Sequence, residues 1–475
     1  MASDPTSPAL DGRRTRIDLA VLAALAVALR LPAYVADRHV TFDDGVFGAS
    51  AVAMRAGGQP FRDVFSSQGP LFLPLVWVGD LVGFRTTNSP RVIAVAAGVA
   101  LVVFAYLAAR TVGDRVGALT AAVLTAACAS VLWVSGPIAA DSVALAFAVA
   151  TVHLTLRWRD DVTTLRAVVL GLGIGATISV KALLAPVIVP VALVLLARRR
   201  VVPIVAGAAA AVAFHLALWL PWGPSNVWDQ SYAYHLEVAG DRTPGANLAK
   251  ILSTLGDRDL PVVIAVVLAI GAIAVGRRAA APAASARLTS PDTLLLAWLA
   301  TTMLVLLTEH PMWRPHVSQL VPPLALLAAR HRPPARWLAV AAVAVLPYHL
   351  VHAWPILHPS DYADSSEAML EQLRVLPEGA LAISDDPGIV WRAGRRTPPD
   401  LVDASILRIE TGDITAASVT AAAARPDVCA VVVRSRERWG SFDDLPERLA
   451  EVGYEIAYGD APNRRVYVRP SCNPG

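Results

Sequence analysis

The sequence predicts a polytopic α-helical membrane protein, with about eleven spans and a small C-terminal α/β domain. Three observations carry this. First, 55% of the 475 residues are hydrophobic, 17% are charged, and the mean hydropathy is +0.52. A water-soluble fold of this length has too little interior to hide that much apolar surface. Second, long apolar runs recur between residues 17 and 354, many near the ~20 residues that a helix needs to cross a bilayer. Third, beyond residue 358 the hydropathy falls, the polar and acidic content rises, and short β-like runs appear. The net charge of +3 is too small to argue for a nucleic-acid partner.

Taken in order, residues 1–16 are polar and end in basic residues, and read as a cytoplasmic tail. The run that follows is too long for a signal-peptide core and lacks a small-residue cleavage site, so it reads as a retained first span. The expected spans are 17–36, 91–111, 116–134, 139–156, 163–180, 182–197, 201–220, 260–276, 292–308, 317–330 and 337–354. Leu71 to Phe84 is left out. It has about 14 residues, follows Gly69-Pro70, contains Pro74 and carries Asp80 in its middle, which suits an interfacial or re-entrant helix.

The basic residues support that choice. With 71–84 not crossing, alternate loops are Arg13 to Arg16, Arg110 to Arg115, Arg157 to Arg166, Arg198 to Arg200, Arg277 to Arg287 and Arg330 to Arg336. All are basic, and basic loops face the cytoplasm. The N-terminus is therefore expected inside. Two long loops, 37–90 and 221–259, and the domain 358–475 are expected outside, with 17–357 as the membrane domain. In the outer domain, Ala380–Ser384, Cys429–Val433, Tyr454–Tyr458 and Arg465–Val468 read as strands, with helices over 413–424 and 443–452. No nucleotide-binding motif, metal spacing or short repeat is visible. Of the three cysteines, Cys429 and Cys472 can pair if that end faces an oxidising space, although a free buried thiol is the commoner state.

The first external loop is densest in chemistry. Asp43 and Asp44 are paired carboxylates just past the first span, placed for general-base work on an acceptor hydroxyl. The plainer reading is a helix cap. Arg30, near the outer end of the first span, and Lys181, alone between two spans, are cations at membrane depth. Such groups line functional cavities or snorkel to the interface, and each is a candidate phosphate partner. Asp141 opens a span, where a carboxylate also serves as a cap. Trp313 is a sugar-stacking face or an interfacial tryptophan, and Arg314 and His316 could contact phosphate or pyranose hydroxyls. Trp222, Trp228, Tyr232, Tyr234 and His235 fit an interfacial belt and a carbohydrate platform equally.

The order of these features resembles the GT-C superfamily of membrane glycosyltransferases. The likeness is to the family 39-like group of protein mannosyltransferases and lipid A aminoarabinose transferases, in its actinobacterial form. It rests on an arginine closing the first span, on Asp43-Asp44-Gly45-Val46-Phe47 and on Gly58-Gln59-Pro60-Phe61-Arg62-Asp63-Val64-Phe65. Gly69-Pro70-Leu71, Asp141 opening a later span, the lone Lys181, and Trp313 to His316 before a Leu/Pro-rich run complete it. It spans roughly residues 17–354. The resemblance implies that Asp43 is the catalytic base, with Asp44 where a glutamate is more usual. Gln68-Gly69-Pro70 stands where relatives carry a Lys-Pro-Pro stretch, and lacks the lysine. Lys181 matches a lysine near the carrier phosphate.

The implied activity is inverting transfer of a sugar from a polyprenyl-phosphate carrier to a glycan, lipid or protein acceptor on the outer face of the cytoplasmic membrane. No cofactor is implied. Some GT-C members hold a divalent metal, and this sequence offers no ligand set for one. The rival class is a multi-pass transporter or lipid flippase, which commonly shows internal repeats and matching broken helices; neither is visible here.

Overall fold

The computed structural model describes residues 8–237, 243–276, 288–461 and 463–472. Residues 1–7 of the tail, part of the second long loop and the basic segment Arg277 to Arg287 lie outside them. The membrane part comprises α1 (Pro8–Val35), α2 (Phe42–Arg55), α3 (Phe72–Val82), α4 (Val92–Val112), α5 (Arg115–Ala127), α6 (Ala129–Ser135), α7 (Ala140–Trp158) and α8 (Thr164–Val180). It continues with α9 (Ile188–Ala197), α10 (Val201–Ala217), α11 (Pro244–Arg258), α12 (Leu260–Gly276), α13 (Pro291–Thr308), α14 (Val321–Arg330) and α15 (Ala335–Leu357).

Six described helices are long and apolar enough to cross a membrane, and α5 with α6 make a seventh if the bent pair is one span. Shorter apolar helices lie at Phe72–Val82, Thr164–Val180, Ala182–Ala197 and Leu260–Ala274. Three expected spans are therefore irregular, each for a local reason. The run 116–134 bends by 59° at Cys128, where Asp259 Oδ1 accepts a hydrogen bond from Ser130 N (3.1 Å) and caps the second half. The runs 182–197 and 317–330 open as 3₁₀ turns, Ala182–Val187 and Arg314–Leu320, before α9 and α14. Pro186 in the first and Pro322-Pro323 heading α14 remove backbone donors there. The segment kept out of the span count is α3, 11 residues long.

Lipid supplies no hydrophobic drive between helices, so close packing of small residues does the joining. Ala167, Gly171 and Gly175, one turn apart on α8, meet Gly207 and Ala211 on α10. A Cβ on Gly175 would sit 2.8 Å from Ala211 O. A buried cluster runs through α1, α2, α4, α5, α7, α8, α9 and α14.

The C-terminal region contains α16 (Asp364–Arg374), β1 (Leu381–Ser384), α17 (Pro387–Arg392), α18 (Ala416–Ala423), β2 (Val428–Val433), α19 (Leu445–Glu451), β3 (Glu455–Ala461) and β4 (Arg464–Val468). The strand order is β1-β2-β4-β3, parallel at β1–β2 and antiparallel elsewhere. These four strands and two of the helices fall where the sequence places them, within a few residues. Alternation along β2 sends Ala430 and Val432 to the core under α16 and α17, and Val431 and Val433 to the core under α18 and α19. Cys429 and Cys472 are disulfide-bonded, against the expectation of free thiols; Cys128 is free and buried.

This region docks on α2 through α17. A Cβ on Gly45 would stand 2.7 Å from Gly388 Cα, and one on Gly48 would overlap the Trp391 indole. Arg392 fastens the same face, donating to Asp37 O (2.7 Å), Ala36 O (2.9 Å) and Asn88 Oδ1 (2.7 Å).

Candidate functional site

Helix α2 begins where Thr41, in extended backbone, accepts a hydrogen bond from Asp44 N on its Oγ1 (3.2 Å). Both aspartates then occupy the first turn, where the helix dipole favours negative charge. Their surroundings differ. Asp44 is fully buried. Its Oδ2 accepts from Arg91 Nη2 (2.6 Å) and Val40 N (2.9 Å), and its Oδ1 from Arg91 Nε (3.2 Å) and Ile138 N (3.1 Å). A carboxylate offers about four lone-pair sites, and all are taken. Burial alone would raise the Asp44 pKa; the Arg91 charge and these hydrogen bonds outweigh it and hold the group below its usual range. Arg91 also donates to the carbonyls of Tyr34, Ala36 and Arg38. The pair thus ties the exit of α1 to the heads of α2 and α4.

Asp43, one residue earlier, is accessible, and no hydrogen bond or ion pair joins it to another described residue. It is open to solvent on one side and surrounded by protein on the others. That desolvation pushes its pKa up to about 6; Lys181 and His316 oppose the rise, and Asp141 and Asp403 add to it. These four residues arrive from different parts of the chain. Lys181 is the C-cap of α8, Asp141 lies in the first turn of α7, His316 in the 3₁₀ turn before α14, and Asp403 in the C-terminal region.

Three of them are linked. Lys181 Nζ donates to Asp141 Oδ2 (2.7 Å) and lies 3.1 Å from His316 Nε2. His316 Nδ1 is 2.6 Å from Glu309 Oε1, an ion-pair distance at a poor hydrogen-bonding angle. A proton on Nδ1 facing Glu309 leaves Nε2 as the acceptor for Lys181. An ammonium has three donors, so one of those on Lys181 remains. Asp141 Oδ1 is buried without a partner.

The other sequence candidates take different places. Arg30 is enclosed between α1 and α4, packed on Gly98. Its Nη1 donates to Ala26 O (3.0 Å), while Nε and Nη2 have no described partner. The carbonyl of Gln68 accepts from Ser231 Oγ (2.6 Å), and its amide nitrogen is 3.4 Å from Ser67 Oγ. Trp313 is exposed at the head of the 3₁₀ turn, and Arg314 turns to Asp257 (3.6 Å). His215 joins Ser179 Oγ (2.8 Å) to Tyr232 OH (3.1 Å). Tyr232 stacks between Trp219 and Trp228.

Two participants escaped the sequence reading. Arg91 heads an apolar run, a cation at the mouth of a span, a signal that could have marked it. Asp403 has no such signal. It reaches the first loop through Ser67 Oγ, which donates to its Oδ2 (3.2 Å).

A many-spanned helical body, a helical first loop carrying a free carboxylate, and a mixed-sheet tail packed on that loop define a multi-pass membrane protein, and likeness to solved structures makes the fold GT-C-like. No family model matches the sequence, and no curated protein matches it. Solved structures do. ArnT from Cupriavidus metallidurans in the apo state is similar with a TM-score of 0.66 at 14% identity, over 94% of this chain and 97% of that one. The same protein bound to undecaprenyl phosphate gives 0.64 at 14%, over 96% and 98%. The archaeal oligosaccharyltransferase AglB from Archaeoglobus fulgidus, in complex with an inhibitory peptide and a dolichol-phosphate, gives 0.56 at 13%, over 97% of this chain and 74% of that one. At these identities the likeness establishes the fold.

Proposed function

We propose that this chain is an inverting glycosyltransferase that moves a sugar from a polyprenyl-phosphate carrier to a cell-envelope acceptor on the outer face of the cytoplasmic membrane. The observation that carries the reading is the contrast in the first turn of α2. Asp44 is saturated by structural partners, while Asp43 is accessible, unpaired and raised to about 6. A base that titrates just below neutrality is ionised at working pH and still accepts a proton readily. Asp43 takes the proton of an acceptor hydroxyl as that oxygen bonds to the anomeric carbon. The carbon–oxygen bond to phosphate breaks on the opposite face, and the carrier phosphate leaves with the electron pair. The remaining donor of Lys181 offsets the charge that gathers on the leaving oxygen, with Asp141 and His316 as positioning residues.

The basic loops support the assigned sidedness. So does the Cys429–Cys472 disulfide, since such bonds persist in oxidising compartments. The binding of polyprenyl phosphates by ArnT and AglB supports the donor class. The first loop, braced by Gln230 and Ser231 at Phe61, Ser66 and Gln68, is the proposed wall of the acceptor site.

The test is transfer of radiolabel from polyprenyl-phosphate sugars to membrane acceptors, comparing wild type with Asp43→Asn. Transfer is expected to fall by a factor on the order of 10²–10⁴, the usual worth of a positioned base, with the protein still inserted and folded. Unchanged transfer by Asp43→Asn would remove the mechanism; no transfer by wild type from any carrier sugar would remove the activity.

A further inference from the structure

A second site lies outside the one above. Between the first turn of α16, the loop after β2 and the start of β4 is a cavity of about 280 Å³, just below the common size range of small-molecule pockets, about 300–1,000 Å³. Three guanidiniums border it, those of Arg434, Arg438 and Arg464, with the hydroxyls of Ser365, Ser366 and Ser435 between them. Among the described residues one carboxylate lines it, Asp386, and that group already serves both Arg434 and His39 (3.1 Å). Arg434 Nη2 donates to Ser366 Oγ (3.1 Å), Arg464 Nη1 to Ser365 Oγ (3.4 Å) and Arg438 Nη1 to Asp385 O (2.9 Å).

Two further features suit an anion. Arg438 Nε is buried without a partner, a state that native proteins rarely leave unfilled. The 11-residue helix α16 starts at Ala363 with no side-chain cap; the N–H groups of Ser366 and Glu367 turn back to Ala363 O (2.8 and 3.0 Å), which leaves the Ser365 N–H on the cavity wall open to an acceptor. Arg38 stands close enough to Arg434 for the two charges to repel.

We propose that this cavity is an anion site that takes a phosphate group. Guanidinium forks match phosphate oxygens in geometry, and the serine hydroxyls and the Ser365 N–H add further donors. The site adjoins α2, because Arg438 also lies over the Phe42 ring (3.8 Å). It does not depend on the glycosyltransferase reading.

The test uses the full chain purified in detergent, titrated calorimetrically with inorganic phosphate at low ionic strength. In parallel, the chain is reconstituted in phosphatidylcholine nanodiscs with and without phosphatidic acid, and its thermal midpoint is read. Arg464→Gln, at an exposed position, and Arg438→Gln are the variants, each first checked for a wild-type midpoint without phosphate. Saturable phosphate binding, weakened about tenfold by either variant, supports the site with a small soluble anion. A midpoint raised by phosphatidic acid alone, and lost in the variants, supports it with a lipid headgroup as the source. Absence of both responses, or responses that neither variant changes, overturns the proposal.

Discussion

Lys181 Nζ stands 2.7 Å from Asp141 Oδ2 and 3.1 Å from His316 Nε2, so one ammonium joins the C-terminus of α8, the head of α7 and the turn before α14. The side chains of Lys181 and Asp141 are only 13% and 2% exposed. Removing one partner of a buried pair leaves a stranded charge and costs about 3–5 kcal/mol, whereas removing both can be neutral. Lys181 keeps His316 and some solvent, so Asp141→Asn is expected at the low end, about 3 kcal/mol. The double variant Asp141→Leu/Lys181→Met should recover most of that stability while transfer is lost with the Lys181 ammonium. Thermal inactivation of wild type, Asp141→Leu, Lys181→Met and the double variant measures the coupling, and additive losses would refute it.

The second prediction concerns pH. The Asp43 carboxyl is raised to about 6, so the proton is held more tightly than in an ordinary carboxylic acid and the base form is lost as pH falls through 6. Ionisation drops from nearly complete at pH 7 to roughly a tenth at pH 5. The kcat/KM profile should therefore show an acid limb near pH 6 and fall about tenfold between pH 7 and 5. An acid limb near pH 4 instead would mean that the base is a well-solvated carboxylate, and not Asp43.

Much of this arrangement is legible in the sequence, for a physical reason. Spans announce themselves by length, and strands by period. A cation at membrane depth is costly enough to mark its position, which is how Lys181 stands out; Asp43, Asp141 and His316 stand out as polar groups at the ends of apolar runs and through the resemblance. What is not legible depends on tertiary approach. Asp43 and Asp44 have the same chemistry and neighbouring positions. Only the arrival of Arg91, Val40 N and Ile138 N at one of them separates their roles. Asp403, 360 residues downstream of Asp43, enters the site because α17 docks on two glycines of α2, and neither glycine differs on its face from an ordinary turn of helix. The bend at Cys128 likewise needs Asp259, from a distant loop, to cap its second half.

The third prediction separates the two aspartates by stability. Asp44 and Arg91 are both fully buried, and Asp44 titrates below its usual range. A depressed carboxylate contributes stability that is present above its unfolded pKa of about 4 and is lost as pH falls through the lower folded value. At neutral pH that contribution is complete. Asp44→Asn should then cost about 3–5 kcal/mol and lower the thermal midpoint in detergent, whereas Asp43→Asn should leave the midpoint unchanged or slightly higher, since it removes an unpaired, desolvated charge. Equal midpoints for the two variants would contradict the division of roles.

The docking of α2 on α17 gives the last prediction. The backbone of Gly388 lies where a Cβ on Gly45 would have to go, 2.7 Å from its Cα. Real Cβ atoms do not approach backbone that closely, and neither helix can yield without moving Trp391, which is itself buried in the membrane-domain core. Gly45→Ala therefore adds one methyl group at a junction with no room for it, and overpacking of this kind costs typically about 1–3 kcal/mol. The cost falls on the contact between the two parts and not on either core. The expected outcome is a C-terminal region that stays folded but separates more readily: limited proteolysis should cut the 358–364 connection faster than in wild type, with the released fragment still resistant. Gly12→Ala, at a position with open space around it, is the matched control and should behave as wild type. If Gly45→Ala is cut no faster than the control, α2 is not the element that holds the two parts together, and the route by which Asp403 reaches Asp43 must lie elsewhere.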